Sequence, residues 1–294
     1  MVIATGFFDG VHLGHRLVIK QLVQAAAARS DESMVITFWP HPRNVLQQEA
    51  RSLRLLTSLE EKKEMLRSLG VDHVEILPFT REFSAMTTQE YLSEVIMKKF
   101  YGKAIMLGYD NRIGSDKISP EETAELAQKM GLDVIRGEMV PSNRGFAVSS
   151  TKIRQALSVG DVALASVMLG YDYSLKGVVV SGNQIGRTIG FPTANMQLYE
   201  PLKCVPSDGV YLVKVETLGR DLYGMCNIGC RPTISVEGIH RTIETNIFDF
   251  HEDIYGLDLK ISFIEKIRDE KKFLSLEELS QQLEQDRLRC FKNI

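Results

Sequence analysis

Apolar positions in the first half of the chain fall into short β-rich runs that alternate with stretches of helical period. Val2–Phe7 reads as a strand, and Leu13–Arg29, rich in Leu, Val and Ala, as the helix after it. Met34–Phe38 is the next strand, closed by the extended Trp39-Pro40-His41-Pro42. Thr57 or Ser58 is placed to cap a helix over Leu59–Leu69, with Glu60 or Glu61 completing a capping box and Gly70 ending it. His73–Leu77 reads as a strand, Thr87-x-x-Glu90 opens a helix ending near Tyr101-Gly102, and Ala104–Leu107 is again a strand. Glu121–Met130, Gly131 and Leu132–Ile135 repeat the unit. Such alternation predicts a parallel sheet covered by helices on both faces, with ligands at the carboxyl ends of the strands.

The pattern then changes. After a helical segment near Asp161–Leu169, β-branched runs appear at Lys176–Val180, Tyr211–Val215, Tyr223–Asn227, Thr242–Phe248 and Leu259–Phe263, punctuated by Gly, Pro, Asn and Asp. These predict a small antiparallel barrel. One helix closes it, opened by the capping box Ser275-x-x-Glu278, with Leu276, Leu279 and Leu283 as its apolar face. The fold class expected is α/β plus all-β, with one domain over residues 1–158, a second over 172–294 and a boundary between 157 and 172.

Composition agrees with two globular domains. The 294 residues are 44% hydrophobic and 25% charged, which excludes a disordered chain or a disulfide mini-scaffold. The net charge is −3, with 20 basic and 19 acidic residues up to Leu157 and 15 and 19 beyond it. Neither half has the basic excess of a nucleic-acid-binding domain. The N-terminus has no cationic flank and no apolar run is long enough to span a bilayer, so no nucleic acid and no membrane are expected as partners. Cys204, Cys226, Cys230 and Cys290 form no C-x-x-C pair and read as reduced, mostly packed thiols of a cytoplasmic protein, a monomer or weak homo-oligomer.

Candidate chemistry is densest at Gly6-Phe7-Phe8-Asp9-Gly10-Val11-His12-Leu13-Gly14-His15, where the first strand turns into the first helix. A helix N-terminus offers unpaired N–H groups to an anion, Gly10 and Gly14 let backbone approach a phosphate, and His12 and His15 add donors for charge developing on it. A glycine turn with two surface histidines is the plain alternative. Val148-Ser149-Ser150-Thr151-Lys152-Ile153-Arg154 gathers hydroxyls and cations at a second helix start. Together the two clusters resemble the H-x-G-H and S/T-x-x-R-type signatures of the nucleotidylyltransferase superfamily. Thr37-Phe38-Trp39-Pro40-His41-Pro42 and Gly108-Tyr109-Asp110-Asn111-Arg112-Ile113-Gly114 resemble the T-F-x-P-H-P and G-x-D-F-x-F-G segments of prokaryotic FAD synthetases. That resemblance implies a Rossmann-like nucleotidyltransferase domain converting FMN and ATP to FAD and pyrophosphate. His12 and His15 would act on the triphosphate. Gly6, Phe7, Asp9, Gly10, Gly14, Ser150, Thr151 and Arg154 would bind the nucleotide, and Asp110 and Asn111 the flavin end. Asn111 and Ile113 stand where that family often has aromatics.

The segment Gly182-Asn183-Gln184-Ile185-Gly186-Arg187-Thr188-Ile189-Gly190-Phe191-Pro192-Thr193-Ala194-Asn195 is not a P-loop. Three residues separate Gly182 from Gly186, Arg187 stands in for lysine, and Pro192 follows. Its glycines still permit a phosphate cradle, and Thr193 and Asn195 offer two hard oxygen ligands suited to Mg²⁺. A hairpin with a polar tip is the alternative. Read in order with Gly209-Val210-Tyr211, Asn227-Ile228-Gly229-Cys230-Arg231-Pro232-Thr233 and Glu244-Thr245-Asn246-Ile247-Phe248-Asp249-Phe250, the loop resembles the riboflavin kinase domain, a six-stranded barrel. Nearly the whole chain thus resembles the bacterial bifunctional riboflavin kinase/FMN adenylyltransferase family, with ATP, riboflavin and FMN as substrates and Mg²⁺ as cofactor. By that resemblance Glu244 is the base for riboflavin's terminal hydroxyl, Thr193 and Asn195 hold the metal, Gly182, Gly186 and Arg187 serve the nucleotide, and Arg268 the flavin. Two further readings stay open: a kinase with an impaired first domain, and a non-catalytic flavin- or nucleotide-binding regulator.

Overall fold

Five strands of the first half, β1 (Val2–Thr5), β2 (Ser33–Trp39), β3 (His73–Pro78), β4 (Ala104–Leu107) and β5 (Asp133–Arg136), pair in parallel in the order β3-β2-β1-β4-β5. The computed structural model describes residues 1–42, 45, 53–108, 112–137, 148–182, 185–231 and 240–294, with the side chains of Ile185, Cys230, Arg231 and His240 excepted. Successive residues of a strand point to opposite faces, and both faces of this sheet are buried. Val2, Ala4, Val35, Ala104 and Met106 pack under helices α1 (Leu13–Ala28) and α2 (Leu59–Ser68), which contribute Ile19, Leu22 and Leu66. Ile3, Ile36, Ile105 and Leu107 face the other way, into a core completed by Tyr91, Leu92 and Ala127.

The short helix α3 (Arg81–Ser84) precedes that second layer. Its main helix, α4, starts at Thr88–Glu90 and continues in π-helical form over Tyr91–Lys99, a width that apolar spacing does not encode. Helix α5 (Pro120–Lys129) follows, capped by Ser119 with a reciprocal Glu122 bond. For α2, the cap is Ser58 and its capping-box partner is Glu61. Strand order reverses beside β1, so the carboxyl end of β1 borders the crevice where this kind of sheet binds ligands.

Met1–Ser150 forms one compact unit and Thr151–Ile294 the other, the division falling at the first residue of α6 (Ser150–Ser158). In the second unit, α7 (Val162–Leu169) is capped by Asp161 and ended by Gly170 at φ 79°. A closed barrel of order β10-β7-β6-β11-β8-β9 follows. Its strands are β6 (Ser174–Val180), β7 (Ala194–Leu198), β8 (Gly209–Thr217), β9 (Arg220–Arg231), β10 (His240–Ile247) and β11 (Asp258–Arg268). Five of them occupy the β-branched runs. The sixth, β7, reads Ala-Asn-Met-Gln-Leu and carries no β-branched residue, so only the family resemblance supplied it. The short helix α8 (Ile185–Thr188) leads to β7, and α9 (Leu276–Phe291), capped by Ser275, closes the chain. Of its anticipated apolar face, Leu276 is 50% exposed.

Cys204, Cys226 and Cys290 are free and buried. Burial pushes the Cys226 and Cys290 thiols up to about 12, so both are inert packing groups.

Candidate active sites

Beyond Thr5 the chain leaves the sheet through a turn whose backbone is held in unusual conformations. Phe8 has φ 48°, Gly10 φ 81° and Val11 φ 34°. A β-branched residue at positive φ is a genuine outlier, and such strain persists only where surrounding contacts over-determine it. Here Val11 N donates to Phe8 O at 3.0 Å and Gly10 N to Thr57 Oγ1 at 3.1 Å. The buried Asp9 carboxylate accepts from Leu56 N at 3.0 Å and Thr57 N at 3.1 Å. Asp9 therefore fastens the turn to the entry of α2. Gly6 packs beneath the Phe8 ring, 3.2 Å from where a Cβ would stand, and the Phe7 ring lies 5.2 Å from Phe38 and 5.0 Å from His41.

The turn ends on two stacked imidazoles. His12 is the N-cap of α1, its Nδ1 accepting from His15 N at 3.4 Å. A neutral His12 consequently carries its proton on Nε2. The His12 and His15 rings stack with centroids 3.6 Å apart at 15°, and a Cβ on Gly14 would stand 3.2 Å from His12 Cε1, so glycine leaves the stack its room. His15 Nδ1 is buried with no hydrogen-bond partner. Burial, then His12, then Lys62 hold the His15 pKa well below its ordinary value.

One residue at this turn escapes sequence reasoning. Lys62 is 4% exposed, and its Nζ donates to Thr37 Oγ1 at 3.3 Å, which donates in turn to Phe7 O at 3.2 Å. The available signal was positional, because Lys62 lies four residues before the fully buried Leu66 and shares its helix face. Ser150 Oγ donates to the Asp9 carbonyl at 2.9 Å, bringing the second motif onto the first. Thr151 is exposed and Arg154 half-buried on α6, where Arg154 shares the face of Ser150. Asp110 and Asn111 lie outside the described residues, while Ile113 is buried in the core beside Phe38.

In the barrel unit, β10 separates two cavities. Glu244 and Asn246 line one of about 270 Å³ with Arg268, Phe273, Leu279 and Leu283. Thr245 and Ile247, pointing the opposite way, line another of about 290 Å³ with Arg187 and His251. Thr193 borders both. Asn195 on β7 pairs directly with Glu244, and a Cβ on Gly182 would stand 2.2 Å from its amide, so Gly182 makes room for that side chain. Gly186 lies equally close to the Phe191 carbonyl, at 2.2 Å from a built Cβ. Register shifts in β11 at 263–265 and 266–268 turn Arg268 toward α9. There its Nε bonds both oxygens of the buried Asp286 at 3.0 and 2.9 Å, Gln282 braces the same carboxylate at 2.9 Å, and the guanidinium lies 5.7 Å over the Phe273 ring. Sequence reasoning identified Arg268 but not the Asp286 carboxylate that orients it.

Family comparison decides what these sites belong to. Residues 1–152 match the FAD synthetase family and residues 169–293 the riboflavin kinase family. The chain belongs to the bifunctional riboflavin kinase/FMN adenylyltransferase family. It is 37% identical to the Bacillus subtilis protein of that name, over 100% of this chain and 93% of the relative, and 38% identical to the Escherichia coli protein, over 98% and 90%. A crystal structure from Streptococcus pneumoniae, described as a macrolide-efflux protein, superposes with a TM-score of 0.90 at 34% identity, covering 97% of this chain and 92% of that one. The efflux label is that protein's own; among the described residues here no helix is long and apolar enough to cross a membrane. With both domains in order, this chain is an enzyme of flavin cofactor synthesis, a riboflavin kinase and an FMN adenylyltransferase whose end product is FAD. Its ATP-dependent activities require a divalent metal.

Proposed function

We propose that the two reactions are divided between the two sites: domain 172–294 phosphorylates riboflavin across β10, and domain 1–158 adenylylates the resulting FMN at the His12/His15 turn. The observation that carries the division is the two-faced strand, which gives Glu244 to one cavity and Thr245 to the other with Thr193 at their border. The flavin ring fits the cavity walled by Phe273, Leu279 and Leu283, and ATP the cavity with Arg187 and His251. Gly182 and Gly186 shape the loop between them.

Riboflavin's terminal hydroxyl is a poor nucleophile. Glu244 takes its proton, the oxygen attacks the γ-phosphorus of ATP, and ADP leaves with the electrons of the broken P–O bond. Thr193 and Asn195 are neutral oxygen donors beside Glu244, and among the described residues no group of three or more acidic, His or Cys side chains forms a metal cage. That set fits Mg²⁺ taking its remaining ligands from phosphate and water. When bound, the ion neutralises phosphate charge. In the first domain, His12 and His15 face the triphosphate, with Ser150 beside them at the start of the helix that carries Thr151 and Arg154. Gly6, Phe7, Asp9, Gly10 and Gly14 shape the turn, and Asp110 and Asn111 serve the flavin end.

Substrates are then ATP, riboflavin and FMN, in the cytoplasm, with a monomer or weak homo-oligomer sufficient because every proposed site residue comes from this one chain. Buried free thiols and near-neutral charge support that setting. Incubation of the pure protein with riboflavin, ATP and Mg²⁺, followed by chromatography of the flavins, yields FMN first and FAD later. Absence of both products overturns the reading, and FMN without FAD overturns its second step.

A further inference from the structure

We propose that Lys62 supplies the standing positive charge of the adenylyl-transfer site, beneath a His12/His15 pair that works as neutral hydrogen-bond donors. The inference rests on the placement of FMN adenylylation at that turn and adds a residue to it.

An ammonium group withdrawn from water is costly unless an anion or a full set of acceptors compensates it. Lys62 is 4% exposed and has three N–H donors, yet among the described residues its one hydrogen bond goes to the neutral hydroxyl of Thr37. Burial lowers the Lys62 pKa and the nearby Asp9 carboxylate opposes that shift, while Asp9 itself accepts from the 56–57 backbone and the Thr57 hydroxyl. Lys62 thus keeps donor capacity in a place where a purely structural side chain would be apolar.

The histidines are poor sources of charge. Their rings stack at 3.6 Å, so protonating both sets two cations in contact, and His12 Nδ1 is occupied as an acceptor. The Lys62 charge also reaches His15 and favours its neutral form, in which the orphaned, buried Nδ1 remains available to a ligand.

The reaction needs what Lys62 offers. An oxygen of the FMN phosphate attacks the α-phosphorus of ATP, the bond from that phosphorus to the bridging oxygen breaks, and pyrophosphate leaves with the electron pair. Two anions must meet, and negative charge then moves onto the leaving group. Directional donors align that geometry, whereas a fixed buried cation lowers its electrostatic cost.

Two substitutions separate charge from structure. Lys62→Met removes the charge and the bond to Thr37; Lys62→Gln removes the charge and keeps a donor for Thr37. Both should lower kcat for FAD formation from FMN by roughly 10²- to 10³-fold. Pyrophosphate binding by calorimetry should weaken in both, riboflavin phosphorylation should stay at the wild-type rate, and the thermal midpoint should hold or rise. Wild-type FAD formation in either folded variant overturns the proposal, as does recovery in Lys62→Gln alone. If Lys62→Met fails to fold, Lys62→Gln decides. Wild-type protein that makes no FAD refutes the functional reading instead, and the pyrophosphate titration then tests Lys62 by itself: equal affinity in wild type and variants overturns it.

Discussion

At the turn after β1, the proposed reactive surface is a pair of stacked imidazoles on a strained loop, braced by Asp9, Thr57 and Lys62. At the barrel it is a single carboxylate on a strand that separates two cavities. On the proposed division both places handle ATP phosphates, and the contrast follows from the nucleophile each must use. FMN arrives with an anionic phosphate that needs no base, only alignment and relief of repulsion. Riboflavin arrives with a hydroxyl whose proton must go somewhere, so a carboxylate is indispensable at one site and superfluous at the other. The first site accordingly concentrates rigid hydrogen-bonding scaffold, and the second concentrates space.

This contrast is open to direct attack. Glu244→Gln should lower riboflavin phosphorylation by roughly 10²- to 10⁴-fold while FAD formation from supplied FMN continues. Chromatography of the two flavin products checks it, and loss of both activities in a folded variant would end the division of labour. His12→Ala is the mirror experiment: FAD formation should fall about 10²- to 10³-fold with the kinase rate intact.

Asp286→Ala should destabilise the barrel unit by about 3–5 kcal/mol, because it strands the Arg268 guanidinium in a half-dry pocket. Denaturant unfolding measures that loss, and it should also raise the riboflavin KM more than it lowers kcat. Acid should discriminate between the units as well. The His15 pKa is depressed from 6.5, so the unfolded chain binds a proton that the folded one refuses, and stability present above pH 6.5 is lost as pH falls toward the folded pKa. His15→Asn should flatten that acid limb for the first unit alone. The smallest effect belongs to Ser58→Ala, which removes one side of the α2 capping box and should cost about 1 kcal/mol in thermal unfolding.

Much of this was readable along the chain, for reasons that individual residues explain. The parallel sheet was visible because β1 and β4 are buried on both faces and so are continuous apolar runs. Ser58, Thr87 and Ser275 announce helix starts through local hydrogen bonds. β7 was hidden, since its place in the sheet comes from pairing with β6 and β10 and not from its composition. Lys62 was hidden for a related reason: a charged residue on a helix looks solvated until the neighbouring strand is known to cover it. The pairing of Arg268 with Asp286 spans two elements and depends on bulges that no periodicity reveals.

The alternation of Glu244 and Thr245 on β10 also constrains how this gene can change length. A one-residue slip of register in that strand would exchange the chambers that Glu244 and Thr245 face, taking the carboxylate away from the hydroxyl it is proposed to deprotonate. A change of two residues restores parity.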